Sequence, residues 1–462
     1  MSDLISILKN TIGDNGVLTG TEVSERMIHV WYPNPITALC IVRPRNTEEV
    51  AEVLKICNAH SQTVVPHGGL TGLVQGCNAR PTDVVLSLER MNQIEHIDTV
   101  GRTMTVQAGV PLQVVQEASE KEDLMFPLDL GARGSCQIGG NISTNAGGNR
   151  VIRFGMTREN VLGLEAVLPD GTILTSLNSM IKNNSGYDLK QLFIGTEGTL
   201  GIITRAVLRL REIPQNLPTA FAAFESFEQV TRFLRFVDRE LGGSLSAFEV
   251  MWHDYYERVT TEPANNSKPV PGDYPLYVLI ESLSSSNKTE NESFESILGQ
   301  ALELNLVADA AVAKSESDRK AMWNIRDSVE HFFRYGHAFL YDVSLGIRHM
   351  DEYVDEVKAR LKSIWPDHHC CTLGHIADGN IHFAISVGDD SPESFKKVNE
   401  CVYEPLQPIG GAISAEHGIG TEKIEYLKLS RSSAEIDVMR LIKRALDPKN
   451  ILNPNKIFSS LP

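Results

Sequence analysis

The apolar positions of this chain change period several times, and each change predicts an element. Between Glu48 and His60 they fall at Val50, Val53, Leu54 and Cys57, a spacing that draws one stripe along an α-helix, and Arg45-Asn46-Thr47 supplies a polar start signal. Thr63-Val64-Val65 is a short β-branched strand, so strand and helix alternate from about residue 36 to 110. Strand patterns follow at Val84–Leu88, Thr103–Gln107 and Val161–Leu168. The last runs into Pro169-Asp170-Gly171-Thr172 and then Ile173-Leu174-Thr175, which predicts a hairpin. After Ile213-Pro214-Gln215-Asn216-Leu217-Pro218 the composition shifts, and a domain boundary is placed there. Beyond it the pattern gives a helix from about Phe227 to Leu241 and a strand at Tyr277–Glu281. It also gives two polar connections, 261–275 with four prolines and 282–292, and a helical stretch from Thr421 to Leu446-Asp447-Pro448. The fold class is therefore α+β, divided as 1–214, 215–420 and 421–462.

Composition narrows the function classes. A chain of 462 residues is too long for one core, and 42% hydrophobic with 22% charged residues is typical of a globular enzyme. With 43 basic against 59 acidic residues the formal charge is −16, which argues against nucleic acid or an anionic membrane as partner. The opening Met1-Ser2-Asp3-Leu4-Ile5-Ser6-Ile7-Leu8-Lys9 has an acid where a signal peptide has bases, and its apolar run is too short to span a bilayer. Seven dispersed cysteines contain no Cys-x-x-Cys pair, which fits a reducing compartment, so a cytoplasmic location is expected. The run His368-His369-Cys370-Cys371 is not read as a metal site, because adjacent strand residues point to opposite faces.

Three glycine clusters carry the first chemistry: Pro66-His67-Gly68-Gly69-Leu70-Thr71-Gly72, Gly139-Gly140-Asn141 through Gly147-Gly148, and Gly195-Thr196-Glu197-Gly198-Thr199-Leu200-Gly201. Residues without a Cβ let several backbone N–H groups converge on one anion, and three such loops suit a large diphosphate cofactor. The first cluster lacks the Lys-Ser or Lys-Thr of a mononucleotide P-loop, and no three glycines have Rossmann spacing, so both of those nucleotide folds are disfavoured.

A second constellation is Gly374-His375-Ile376-Ala377-Asp378-Gly379-Asn380-Ile381-His382. With Asp378-Gly379 as the centre of a two-residue hairpin, His375 would pair directly with His382, at a separation that lets two imidazoles bind one ion; another tight turn could bring them together as well. Ser414-Ala415-Glu416-His417-Gly418 sets a carboxylate beside an imidazole, and adjacent side chains diverge, so these two are expected to do different jobs.

Phe126-Pro127-Leu128-Asp129-Leu130-Gly131-Ala132, Ile138-Gly139-Gly140, Asn145-Ala146-Gly147-Gly148 and the run Ser185-Gly186-Tyr187-Asp188-Leu189-Lys190-Gln191-Leu192-Phe193-Ile194-Gly195 resemble a known family almost residue for residue. It is the flavoproteins of the vanillyl-alcohol oxidase and p-cresol methylhydroxylase fold, in the D-2-hydroxyglutarate and D-lactate dehydrogenase branch. The resemblance implies a two-subdomain FAD-binding domain, an α+β cap that carries the substrate and metal site, and a C-terminal segment that returns to the FAD domain. It implies non-covalent FAD on the loop formed by Pro66, His67, Gly68, Gly69, Leu70, Thr71 and Gly72. Further FAD contacts would come from Ser135, Gly140, Thr144, Asn145, Gly148, Gly198, Ile203 and Asn453. His375, His382 and Glu416 match the ligands of a divalent ion, with zinc favoured and manganese or iron accepted by the same set. His417 matches the base that takes the hydroxyl proton of a 2-hydroxy acid, Arg326 in Trp323-Asn324-Ile325-Arg326-Asp327 the grip on its carboxylate, and Asn380 joins the catalytic set. Electrons would pass to a carrier such as an electron-transfer flavoprotein or a quinone, and a homodimer is the oligomer considered.

Two positions depart from the 2-hydroxyglutarate enzymes of that branch. Where those have a lysine before Tyr-Asp and a threonine four residues after the arginine, this chain has Leu340 and Glu330. Neither suits a second carboxylate, which favours D-lactate, a longer aliphatic D-2-hydroxy acid or D-mandelate, while Arg334, His337 or Arg348 could restore D-2-hydroxyglutarate. Competing readings are a non-redox flavin-assisted transfer, as in ether-lipid synthases, and a flavin-binding subunit of a larger complex.

Overall fold

A computed structural model describes residues 2–283 and 289–459. The chain divides into two compact units: Met1–Gly148, Gly155–Ile213 and Glu416–Pro462 form the first, and Asn149–Phe154 with Pro214–Ala415 form the second. Among the described residues, no helix is long and apolar enough to cross a membrane.

In the first unit, β1 (Val17–Leu18), β2 (Cys40–Val42), β3 (Val64–His67) and β4 (Val84–Ser87) form a sheet in the order β1-β2-β4-β3. The contacts β2·β4 and β3·β4 are parallel. β2 and β3 run parallel on either side of β4, which needs a crossover between them, and α1 (Thr47–Ala59) supplies it: Asn46 caps its N-terminus by accepting the Glu49 N–H, and the predicted stripe Val50, Val53, Leu54 and Cys57 is buried. A second, antiparallel sheet follows the order β8-β7-β9-β6-β5. It contains β5 (Ile94–Asp98), β6 (Thr103–Gln107), β7 (Val161–Val167), β8 (Ile173–Ser176) and β9 (Ile202–Arg209). The predicted hairpin is β7·β8, with Val167 opposite Ile173. Between β6 and β7 runs α2 (Ile138–Thr144), the helix that carries the second glycine cluster.

The C-terminal tail closes this unit through its backbone. Val64 N–H donates to the Ile451 carbonyl and Asn453 N–H to the Val64 carbonyl, both at 2.8 Å, so the tail lies along β3. Lys443, buried in the helix Ser433–Leu446, donates to the carbonyls of Thr199 and Leu452 and pairs with Asp447. A buried ammonium needs such partners, and these three tie the tail to the third glycine cluster.

The second unit is one antiparallel sheet of seven described strands in the order β13-β10-β12-β11-β15-β16-β14. They are β10 (Thr219–Phe224), β11 (Leu245–Trp252), β12 (Leu276–Ser282), β13 (Asp309–Val312), β14 (Phe339–Ser344), β15 (His369–His375) and β16 (Asn380–Ser386). The predicted helix appears as α3 (Phe227–Glu240), capped by Ser226. On one face, α4 (His253–Thr260) and α5 (Glu316–Asp327) pack Tyr255, Tyr256, Trp323 and Ile325 onto Phe221, Met251, Cys371 and Leu373. Packing at that density fixes strands and helices together, and the polar residues embedded in it are held rigidly.

The β15–β16 turn differs from the expected hairpin. Leu373, not His375, lies opposite His382, and residues 376–379 form the connection, with Ile376–Asp378 a 3₁₀ turn and Gly379 at φ 91°. A turn longer by two residues moves the register by two and leaves every side chain on its expected face, so both histidines still share a face.

Candidate active site

The flavin-contact residues expected from the sequence all fall in the first unit, where the three glycine clusters touch one another. Gly69 sits so close to the next cluster that a Cβ there would collide with the Ser135 carbonyl, with Cys136 Cα 2.7 Å away. Gly72 and Gly140 face open space, where a ligand can reach the backbone. The end of α2 is sealed by the third cluster, as Gly195 N–H donates to the Ile142 carbonyl and Glu197 N–H to that of Ser143. Asn145 takes the left-handed C-cap position, and its Oδ1 accepts the Arg158 N–H. Thr144 Oγ bonds back to the Gly140 carbonyl, and Ser135 N–H to that of Ala132.

Two buried polar atoms in this region have no protein partner: Gln137 Oε1, near the Gly68–Gly140 approach, and Asn453 Oδ1. The amide nitrogen of Asn453 donates to the Glu197 and Gly76 carbonyls, joining the tail to the third cluster and to the chain just beyond the first. Unpaired buried acceptors beside glycines open to a ligand fit a polar cofactor that brings its own donors, and the donor set suits FAD. Ile203 is buried in β9, where it pairs with Ala166 of β7, and the pairing of β9 with β6 begins at Arg205. His67 is buried, with Nε2 2.8 Å from the Cys77 carbonyl, and burial pushes its imidazole down to about 4.

Glu416 and His417 also belong to the first unit. Glu416 Oε1 accepts the Gly148 N–H at 2.5 Å. The loop after them is fixed by an acid of the third glycine cluster to which the sequence alone assigns no role: Glu197 accepts the N–H groups of Ile419 at 2.7 Å and Gly420 at 2.8 Å. Burial pushes the Glu197 carboxyl up, and the two donors offset that only in part.

His375, His382, Asn380 and Arg326 belong to the second unit, and the sheet gathers them. The two imidazoles meet edge to face with ring centroids 5.2 Å apart. Glu249, from β11, ties together His375 Nδ1 at 2.7 Å and Arg326 Nε at 2.8 Å. A carboxylate can only accept, so His375 Nδ1 carries the hydrogen; Arg326 Nη2, 3.2 Å from Nε2, can only donate, so Nε2 carries the lone pair. That tautomer, oriented by a carboxylate behind it, is the one whose Nε2 lone pair would bind a divalent ion in place of the Arg326 N–H it accepts here, so the chemistry of His375 fits such an ion. Burial pushes the Glu249 carboxyl up, but His375 and Arg326 outweigh it and hold it down to about 2. Burial also pulls against the Arg326 charge, and Glu249 more than restores it. Arg326 is 9% exposed, so it is no surface salt bridge.

Asp342, on β14, is the other acid missed in the sequence. Fully buried, it accepts from Asn380 Nδ2 at 2.9 Å, Ala415 N–H at 3.0 Å and Ser414 Oγ at 3.2 Å, and lies 3.8 Å from His382 Nδ1. Asn380 Oδ1 is a buried acceptor without a protein partner. Glu249 and Asp342 each interrupt an apolar strand run, Ala247-Phe248-Glu249-Val250 and Leu340-Tyr341-Asp342-Val343, and that interruption was the available signal. Leu340 packs against the core of the helix-covered face, opposite Ala384. Glu330 pairs with His331 at 3.5 Å, while Arg334 lies over Tyr335 at the far end of β15.

The family profile described as FAD linked oxidases, C-terminal domain, matches residues 213–457, and that of the FAD binding domain matches residues 38–176. A D-2-hydroxyglutarate dehydrogenase of Xanthomonas citri pv. viticola is 38% identical over 93% of this chain and 90% of its own. The mitochondrial D-2-hydroxyglutarate dehydrogenase of Bos taurus is 39% identical over 90% of this chain and 76% of its own. Among solved structures, p-cresol methylhydroxylase with substrate bound superposes with a TM-score of 0.79 at 16% identity, covering 99% of this chain and 97% of its own. That last likeness speaks for the fold.

Proposed function

Because this chain belongs to the FAD-dependent D-2-hydroxyglutarate dehydrogenase family of FAD-linked oxidases, we propose that it oxidises a D-2-hydroxy acid with an uncharged side chain to the 2-oxo acid. The observation that carries the reading is the buried Glu249, which fixes the tautomer of His375 and the position of Arg326 at once. When bound, FAD supplies a hydride acceptor for C2, and a divalent ion on His375, His382 and Glu416 supplies a Lewis acid that lowers the hydroxyl pKa. His417 accepts the hydroxyl proton. Arg326 holds the C1 carboxylate through its remaining N–H donors, and its bond to Glu249 keeps the guanidinium in one orientation. Asn380, anchored through Nδ2 to Asp342 and to the Val343 carbonyl, offers Oδ1 as a fixed acceptor. Pro66 to Gly72, Ser135, Gly140, Thr144, Asn145, Gly148, Gly198, Ile203 and Asn453 hold FAD; the bond of His67 to the Cys77 carbonyl supports a non-covalent cofactor.

Leu340 supports the uncharged side chain. It shares a sheet face with His382, two residues from Asp342, and is packed among Leu373, Cys371 and Ala384. A distal carboxylate placed there would lose its hydration without gaining a partner. The names of the relatives favour a second reading, D-2-hydroxyglutarate as substrate.

Anaerobic bleaching of the flavin band near ~450 nm by a panel of D- and L-2-hydroxy acids, with and without chelator, tests the reading. Fast bleaching by D-lactate or D-mandelate, abolished by chelator, is expected. Preference for D-2-hydroxyglutarate would remove the Leu340 argument and leave the mechanism, and no bleaching by any acid would remove both.

A further inference from the structure

The second unit contains a cavity of about 640 Å³ that no step above uses. It lies beside His369, at the start of β15, whereas His375 ends the same strand; six residues of extended chain separate the two by about 20 Å. Its walls come from α4, the 3₁₀ turn Val329–Tyr335 and α6 (Met350–Ile364).

The charges around it do not balance. Asp254 is matched by Lys358 at 2.5 Å and by the Thr372 N–H at 2.9 Å. Glu257 has its side chain 62% exposed and lies 3.6 Å from His253. Among the described residues no carboxylate lies within ion-pair distance of Arg258, Arg334 or Lys362. Arg258 is the unusual one: at 9% exposure it is buried, yet its only described partner is the ring of Tyr335, 4.6 Å from the guanidinium carbon. None of its nitrogens is sealed in protein without a partner, so they reach the cavity. A buried, unpaired guanidinium costs free energy that a cation–π contact repays only in part. Tyr335 in turn stacks on His369, with centroids 3.7 Å apart and planes 11° from parallel, a flat slab that holds Arg258 in place. Burial and then the Arg258 charge push the His369 imidazole down, with His368 adding to the effect and Asp367 opposing it.

We propose that this cavity is a binding site for a small polyanion, a phosphorylated or polycarboxylate metabolite, anchored bidentately by Arg258 with Arg334 and Lys362 at its rim. The geometry favours two or more negative charges, since among the described residues Arg258, Arg334 and Lys362 have no carboxylate within ion-pair distance, and a planar phosphate or carboxylate edge matches the guanidinium fork. The volume is that of a metabolite site.

The test is calorimetric titration of the FAD-loaded protein at low ionic strength with inorganic phosphate, tricarballylate and acetate. Saturable binding of phosphate or tricarballylate, with acetate weaker by about tenfold or more, is expected. Arg258→Gln should weaken it by about tenfold or more, and the exposed variants Arg334→Gln and Lys362→Ala by a smaller factor with a shallower salt dependence. Because Arg258 has no carboxylate partner, its variant should melt no lower than the parent, and flavin reduction by substrate should be unchanged in all three. Phosphate binding alone would identify a phosphorylated ligand, and tricarballylate alone a polycarboxylate. Failure of both to saturate, equal binding by Arg258→Gln, or self-association abolished by Lys362→Ala would overturn the proposal.

Discussion

The cradle of the first unit and the charge cluster of the second hold their residues by opposite means. In the cradle, backbone carries most of the contacts: glycines let loops touch, and N–H groups cap α2 or meet Glu197. The second unit uses side chains on strands, with Glu249 and Asp342 buried and each accepting several donors. A backbone cradle is therefore intolerant of added volume, whereas a charge cluster is intolerant of lost charge.

Substitutions can break that contrast. Gly69→Ala forces a Cβ into the Ser135 carbonyl and should cost more than about 4 kcal/mol, giving protein that unfolds early and retains little flavin. Gly72→Ala, where the new Cβ meets open space, should melt within about 1 kcal/mol of the parent by denaturant titration. Similar behaviour of the two would mean that the cradle is not held by close backbone approach.

Next in size is Glu249→Gln. It leaves Arg326 buried opposite a neutral amide, and breaking such a pair costs about 3–5 kcal/mol. The Gln variant should also lower bound divalent metal, read by elemental analysis, by about tenfold or more if His375 is a ligand. Loss of stability with metal content unchanged would keep the buried pair and sink its role behind His375.

The smallest effect separates the units by pH. His67 is held down to about 4 when folded, against about 6.5 unfolded, so between these values the unfolded chain binds the extra proton. Stability should be indifferent to this group above about pH 6.5, fall as pH drops towards 4, and lose up to about 3 kcal/mol in all. His67→Gln, which keeps a donor for the Cys77 carbonyl, should flatten the slope of unfolding free energy between pH 7 and 4.5. An unchanged slope would show that His67 is not buried as a neutral ring.

Much of the first unit was legible because local chemistry dictates it. Asn46 caps a helix with a helical stripe, Asp170-Gly171 turns a hairpin, and glycines stand where chain meets chain. The histidine pair was legible in kind but not in register: His382 lies opposite Leu373, because a 3₁₀ turn at Ile376–Asp378 lengthens the connection. Period two preserved the face and so the convergence. Glu249, Asp342 and Glu197 could be noticed only as acids in apolar or glycine-rich runs, since their partners lie from 38 to 223 residues away.

The sequence by itself determined the alternation of elements, the glycine clusters, the His375 and His382 pair and the family to which these belong, since each rests on residues close together in the chain. Only the tertiary structure decided which buried acid faces which base, and that Arg258 lines a cavity with no carboxylate within ion-pair distance among the described residues. Electrostatic pairing depends on separation in space, and that separation follows from strand order and register in a sheet of seven described strands, where residues far apart in the chain become neighbours.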